Sequence, residues 1–377
     1  MKKNKKISFL IINEKVINLF LVSHINNLCK YFDIEFISSS KKIFFVINGK
    51  KFYNHHLNLS RSFNILNFTS NLIKLLIIIL KFKSHLYISI HPKNGLLISL
   101  LKYFYNFKTL HIITGQIWAN QINFKKTLFK YIDKLIIHKS DYLLADSKAQ
   151  ISYLKKNGFN VNKISPILNG SICGVDVSKF SKSNDDKLIY LKKNKYSKHD
   201  KIIIYTGRIN FDKGVLLLLD SFNELILKYN YKIILLLVGD AEFDIYKYLT
   251  RYSFKVKKKI HVLKFKKNIN YYYSISDIFC LPSYREGFGL SVIQASASFL
   301  PVVVSNIYGL DDSLKENITG LKFDSSNYKN LSKKLRFLLD NPIKVKQLGY
   351  NGRKYVQQFF NQKDVITFLS TYIKNII

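Results

Sequence analysis

The sequence predicts an α/β fold of two Rossmann-like domains facing a central cleft. Apolar, β-branched runs alternate with helical patterns along its length, as in proteins with parallel sheets. The alternation restarts after one polar stretch, Ser178 to Asp200. A chain of 377 residues is long enough to give each half its own core. The expected boundaries are a first domain over 1–178, a linker over 179–200 and a second domain over 201–355. A closing helical segment, 356–377, is expected to return toward the first domain.

Element by element, Lys5 to Asn13 reads as a strand and Val16 to Phe32 as the helix after it. Asp33 to Ser38 is a second strand. Leu72 to Leu80 is the longest apolar block, interrupted by Lys74 and stopped by Lys81. A spanning helix needs roughly 20 apolar residues, so a buried helix is expected there. A further strand ends at His91 and Pro92, with helix from Gly95. Thr109 to Gly115 is a strand ending in a glycine turn, and Tyr142 to Ser147 is another. Asp146 and Ser147 can cap the helix that follows, and Gly158 closes it. In the second half, Lys201 to Arg208 is a continuous buried strand, followed by a helix from Val215 to Tyr229. Strands then recur at Lys232 to Asp240, His261 to Phe265, Ile278 to Ser283 and Pro301 to Ser305. From Tyr328 the chain is helical, with a break at Asn341-Pro342.

Composition narrows the function classes. At 47% hydrophobic and 22% charged, the chain is globular rather than disordered. Cys29, Cys173 and Cys280 lie far apart without metal-ligand spacing, which fits a reducing compartment and neither a disulfide scaffold nor a zinc site. Met1 to Lys6 is basic, but the apolar run after it closes at Asn13, Glu14 and Lys15, so no leader peptide is expected. The formal net charge is +36. Part of it reads as base composition, since Lys, Asn, Ile, Phe and Tyr are all abundant. The rest is an electrostatic footprint that favours an anionic membrane face. Nucleic acid is not an expected partner, because no recognition module appears and the basic residues do not cluster with stacking aromatics.

Four segments fall at carboxyl ends of strands in the second half, where open α/β sheets bind ligands. Thr206 to Gly214 supplies Arg208 and Lys213, with Gly207 and Gly214 beside them, on a turn entering a helix. Two fixed cations at a helix start suit a diphosphate, although in so basic a chain they also fit a plain surface loop. Val238 to Asp240 ends the next strand. Glu286 precedes Gly287 and Gly289, which let backbone approach a ligand closely. A helix from about Leu290 would bury Leu290, Ile293 and Ala297 and place Gln294 one turn in, facing the same ligand as Glu286. Tyr308-Gly309 follows the strand at Pro301.

The ordered motifs Gly-Arg-x5-Lys-Gly, Val-Gly-Asp, Pro-Ser-x2-Glu-Gly-Phe-Gly and Pro-Val-Val resemble glycosyltransferase family 4, the retaining GT-B enzymes. The likeness spans nearly the whole chain: Gly170 to Phe180 is similar to the family's Asn-Gly-Val-Asp segment. His91 to Gly95, Thr114 to Asn120 and Leu143 to Gln150 look like the subgroup that builds bacterial O-antigen and capsule units on a lipid carrier. The resemblance implies that Arg208 and Lys213 grip the donor diphosphate and that Glu286 contacts the transferred sugar. It puts Phe288, Gly289 and Leu290 where backbone amides meet sugar and phosphate. The family's second glutamate, bonded to the nucleotide ribose, is here Gln294, and Phe299 stands where the family has glycine.

Further expectations follow from that likeness. The reaction is front-face transfer with retention, without metal or other cofactor. The donor is a nucleotide-sugar, with UDP the expected nucleotide, and the acceptor an undecaprenyl-diphosphate-linked glycan in cell-surface polysaccharide biosynthesis. The protein would work in the bacterial cytoplasm, peripherally on the inner face of the plasma membrane. Adjacent aspartates at Asp185 and Asp311 read as turn or cap residues rather than a metal motif. On the acceptor side, His91, His111, Gln116 and Trp118 lie at or after strand ends. His111 could bond the sugar or act on the acceptor hydroxyl, though a lone histidine on an apolar strand is more often simply packed. Trp118 could stack a sugar or dock lipid, or equally anchor the core. Gln294 and Phe299 leave open an alternative class, a catalytically weakened GT-B protein serving as a scaffold in a glycan-assembly complex.

Overall fold

The structure, a computed structural model, describes residues 5–59 and 65–377, so most of the basic start lies outside them. Two compact units form: Met1–Cys173 with Gln362–Ile377, and Gly174–Asn361. The stretch expected as a linker is not a tether. It contains the helix Asn184–Lys193, capped by Ser183, with Leu191 buried in the second unit's core and Lys187 bound to Asp277 at 2.6 Å. The closing segment joins the first unit only from Gln362, because Val356 and Phe360 are built into the core of the second.

The first unit holds an eight-stranded sheet. Its strands are β1 Lys5–Leu10, β2 Phe32–Ser38, β3 Phe44–Ile47, β4 Lys50–His56, β5 Leu86–Ile90, β6 Thr109–Ile113, β7 Tyr142–Ala145 and β8 Ile164–Pro166. The order is β3-β4-β2-β1-β5-β6-β7-β8, parallel except for the β3–β4 hairpin. That hairpin, absent from the expected elements, turns at Asn48-Gly49, both with positive φ, as a two-residue hairpin turn requires. The helices Ile65–Phe82, Pro92–Leu101 and Asn123–Lys139 connect β4, β5, β6 and β7 in steps that all move the same way across the sheet. Right-handed crossovers therefore lay them on one face. The block at Leu72 to Leu80 is helical as expected but buried on one side only. Leu75 and Ile79 enter the core, whereas Ile73, Ile77 and Leu80 are exposed.

Trp118 is the largest fully buried side chain. Its ring stacks on Phe159 and Tyr153 at centroid distances of 5.5 and 5.3 Å. Its indole N–H donates to Asp133 Oδ2 at 2.8 Å, so the one polar atom of the ring is satisfied by a carboxyl on the helix Asn123–Lys139.

The second unit holds a parallel six-stranded sheet. It comprises β9 Lys201–Thr206, β10 Ile233–Val238, β11 Ile260–Leu263, β12 Ile278–Leu281, β13 Val302–Ser305 and β14 Gly320–Phe323. The order β11-β10-β9-β12-β13-β14 puts the ends of β9, β10, β12 and β13 on one carboxyl edge. Behind β12, the helix Leu290–Ala297 closes with Phe299 at φ 61°. Phe299 N–H bonds Ser296 O and Leu300 N–H bonds Ala295 O, the paired closure of a Schellman motif. This explains why the resembled family keeps glycine there. Arg353 supports the substitute: its guanidinium lies 4.6 Å from the Phe299 ring and donates to the carbonyls of Ala297, Phe180 and Val177.

Two expectations follow. Left-handed strain of about 1–2 kcal/mol at Phe299 is offset by its cation–π contact and by the chain entropy a glycine would add. Phe299→Gly should therefore stay within about 1 kcal/mol of neutral in urea unfolding. Arg353→Ala should cost about 3 kcal/mol, since it strips charged bonds from three carbonyls. Burial pushes the Asp133 carboxyl up to about 7, against the opposing Trp118 bond. The folded chain then keeps a proton that the unfolded chain releases near pH 4, and stability falls as pH rises from there through 7. Asp133→Asn should show no gain in melting temperature at pH 4, a growing gain toward pH 7 and a level one above. A pH-independent difference would mean that the carboxyl is ionised in the fold.

Candidate active site

After β9 the chain runs through Gly207, Arg208, Ile209 and Asn210 into a single 3-10 turn, Phe211–Lys213. Asn210 caps that turn, its Oδ1 accepting the Lys213 backbone N–H at 3.0 Å. An asparagine in this position satisfies an amide that the turn leaves unbonded and fixes where Lys213 emerges. Gly214 follows at φ 65°, and a Cβ there would sit 1.9 Å from the Pro282 carbonyl oxygen. Only glycine lets the β9 loop press against the β12 loop at this point. Gly309, after β13, does the same from the other side: its Cβ would lie 2.0 Å from the Glu286 carbonyl oxygen.

The segment carrying Glu286 is thus held between two backbone contacts. Its carboxylate meets Lys213 Nζ at 2.6 Å and accepts from Ser283 Oγ at 2.8 Å. The pair is mostly buried, with side-chain exposures of 16% for Lys213 and 13% for Glu286. Tyr284 N–H donates to Asp212 O at 2.9 Å, tying the two loops once more.

Arg208 is brought to the same edge but to a different carboxylate. Its Nη1 donates to Glu242 Oε1 at 2.8 Å and to Oε2 at 3.0 Å. Asn210 Nδ2 donates to Glu242 Oε2 at 2.8 Å. Close to both ion pairs is Tyr205 of β9, whose hydroxyl donates to Arg208 O at 2.5 Å. Burial first, and then the charge of Glu286, hold that phenol well above its ordinary range, so it stays protonated. Gly207 adjoins this hydroxyl.

Gly289 has φ 82° and opens the helix Leu290–Ala297; Val292 N–H bonds Gly289 O at 2.9 Å, and the amides of Leu290 and Ser291 before it lack intrahelical acceptors. Phe288 is buried with its ring 5.1 Å from Phe360, so it offers a ligand its backbone rather than its ring. Gln294 is half-buried one turn into that helix, as the motif spacing predicts. Asp185 and Asp186 lie in the first turn of their helix, and Asp311 pairs with Lys322 at 2.5 Å, matching the turn-and-cap reading.

The four acceptor-side residues lie in the first unit. His91 caps the helix Pro92–Leu101 at φ 87°, its Nδ1 accepting from Lys93 N–H at 3.3 Å. His111 is buried on β6 and shares a 2.7 Å hydrogen bond with Ser89 Oγ. Burial, and next the neighbouring His91, push its pKa down to about 3, so the ring is neutral. Gly95 packs directly on that ring. Gln116 is fully buried, and with His111, Asp133 and Pro92 it lines a hollow of about 10 Å³, the room of one water. Trp118, in the core, presents no open face for a sugar or a lipid: indole burial wins because Asp133 completes its hydrogen bond.

Glu242, Asn210, Ser283 and Asp133 were not singled out from the sequence. Asn210 had a legible signal, an Asx cap three residues before Lys213. Glu242 and Asp133 had none, because their partners are distant in sequence.

The motif-bearing region is also the region of recognised kinship. Residues 186–355 match the family described as Glycosyl transferases group 1. The chain is similar to the capsular polysaccharide biosynthesis glycosyltransferase CapM of Staphylococcus aureus, with 26% identity over 383 residues, 99% of this chain and 98% of that protein. It is similar to the N,N'-diacetylbacillosaminyl-diphospho-undecaprenol alpha-1,3-N-acetylgalactosaminyltransferase of Campylobacter jejuni, 26% identical over 272 residues, 70% of this chain and 69% of that one. Among solved structures, Anabaena Alr3699/HepE in complex with UDP-glucose superposes with a TM-score of 0.80 at 14% identity, covering 98% of this chain and 99% of that one. The chain is therefore a glycosyltransferase of the GT-B fold, and its group 1 glycosyl transferase domain contains the paired Lys213 and Glu286.

Proposed function

We propose that the protein transfers a sugar, with retention, from a UDP-sugar to a lipid-linked glycan during assembly of a cell-surface polysaccharide. The observation that carries this is the buried Lys213–Glu286 pair with Arg208 beside it on one sheet edge. Lys213 and Arg208 take the donor diphosphate, and Glu286 exchanges its ammonium partner for hydroxyls of the transferred sugar. Charge that grows on the departing diphosphate meets fixed cations and the amides of Gly289 and Leu290. The acceptor hydroxyl attacks from the leaving-group side and its proton passes to a phosphate oxygen, so neither a metal nor a second carboxylate is needed. Gln294 bonds the ribose as a neutral group, at a cost of about 1 kcal/mol against a carboxylate. The names of CapM and of the undecaprenol-linked transferase support the acceptor class, and the UDP-glucose complex supports the nucleotide.

A peripheral place on an anionic bilayer fits the same reading. No described helix is long and apolar enough to cross a membrane. The helix face of the first unit nevertheless exposes Ile73, Ile77, Phe124, Leu128 and Tyr131 among Lys74, Lys81, Lys125 and Lys126. Between Glu35 and Asp133 the chain has no acidic residue to repel anionic headgroups. The weakened-scaffold alternative rests on Gln294 alone, since Phe299 keeps its turn.

Three measurements test this: thermal shift, sugar transfer and vesicle binding. UDP-sugars should raise the melting temperature, and Glu286→Ala should abolish transfer to a lipid-linked acceptor; no shift with any UDP-sugar sinks the donor assignment. A large gain in activity from Gln294→Glu would favour the scaffold. Vesicles containing phosphatidylglycerol should co-sediment the protein, less so at high salt, and Phe124→Asp with Ile77→Asp should release it. Equal binding to pure phosphatidylcholine would remove the electrostatic part.

A further inference from the structure

We infer that Glu242 is the positioning residue that presets both cations of the donor site; this rests on the donor reading above. One carboxylate reaches both cationic elements. It takes Arg208 Nη1 through both oxygens, and through Oε2 it takes Asn210 Nδ2. Asn210 in turn accepts the Lys213 N–H at 3.0 Å, so the placement of Lys213 is linked to the same group. Arg208 is therefore oriented by Glu242 directly, and Lys213 at one remove.

The backbone holds Glu242 where this works. Ile209 N–H bonds Asp240 O, and Glu242 N–H bonds Ile209 O, both at 2.9 Å. A parallel bridge thereby forms between Ile209 and Ala241 and zips the β10 loop onto the β9 loop. Beside it, Phe243 stacks on Phe211 at 4.6 Å and 15°, pinning the turn that ends at Lys213. The ring contact involves no residue of the ion pairs, and the bridge uses only the backbone of Glu242.

An ion pair at this place could also compete with the donor for Arg208. The geometry argues otherwise. Both bonds to Glu242 come from Nη1, and a guanidinium carries five N–H groups in a rigid fork. Those on Nη2 and Nε stay directed away from the carboxylate and fit a phosphate. Glu242 thus fixes the fork in one orientation before the ligand arrives, which lowers the entropy cost of binding. Once the donor is bound its own phosphates hold the fork, so the loss of presetting appears in KM rather than kcat.

The test titrates UDP into the full chain and measures KM and kcat for the UDP-sugar that is turned over. Glu242→Ala should raise the UDP Kd and the donor KM about tenfold, with kcat within about twofold. Glu242→Gln, which still accepts from Arg208 but offers Asn210 a donor, should fall between Glu242→Ala and the native chain. It carries the test if the alanine variant does not fold. In an Arg208→Ala background the cost of Glu242→Ala should shrink to about threefold, because only the Asn210 route remains. Unchanged or tighter UDP binding by a folded Glu242→Ala overturns the inference, as does an equal cost in both backgrounds. If the native chain binds no UDP, the donor reading falls and this one with it.

Discussion

The active edge depends on two places where backbone touches backbone. Gly214 lies against the Pro282 carbonyl and Gly309 against that of Glu286, and the acidic loop is caught between them. Without those approaches Lys213 and Glu286 could not meet at 2.6 Å in a mostly buried position. Burying two charges costs several kcal/mol each, and their attraction repays this only with good geometry and further hydrogen bonds. Ser283 provides one such bond to the carboxylate. The pair is best understood as a preset arrangement rather than a source of stability. Each member is already desolvated and aimed by the other.

Charge in this protein is abundant, so position decides its use. A formal excess of +36 would by itself favour any anion anywhere on the surface. At the carboxyl edge of the second sheet, however, acids organise cations: Glu286 on Lys213, Glu242 on Arg208 and Asp212 on Arg285. Most other lysines are exposed and screened by salt. An anion at that edge would therefore meet a few oriented donors, not a diffuse positive field. That difference separates specific recognition from the general stickiness of a basic chain.

Much of this was legible in the sequence because it is local. Each strand of the second sheet through β13 appears as an apolar run, and the loops after β9, β10, β12 and β13 each carry a glycine. The family motifs then place Arg208, Lys213 and Glu286 without coordinates. Other features were harder to read. Arg208 meets Glu242 only through the pairing of β9 with β10, and Asp133 meets Trp118 fifteen residues away by a helix packing against a loop. No periodicity encodes either contact. The hairpin β3–β4 did have its signal in Asn48-Gly49, but its flanks are rich in lysine and read as surface. The apolar block at Leu72 to Leu80 misleads in the opposite sense: its hydrophobicity does not distinguish the buried Leu75 from the exposed Ile77, which only packing decides. Phe299 looked like a defect until its left-handed φ showed a turn held from outside by Arg353.

The two units also divide the electrostatic labour. In the first, His24, His111 and Asp133 are held toward their uncharged forms by burial. His111 stays neutral down to about pH 3, and Asp133 holds its proton up to about pH 7. His24, whose ring N–H donates to Ile172 O at 2.7 Å, is likewise pushed down to about 4. In the second unit the charges are kept and paired. Neutral donors and acceptors suit hydroxyl-rich ligands, which need directional bonds and no field, whereas a diphosphate needs charge already in place. A glycosyltransferase must handle both kinds of partner in one reaction. The two units thus treat their ionisable groups differently: His111 and Asp133 are desolvated singly in one, Lys213 and Glu286 as a pair in the other.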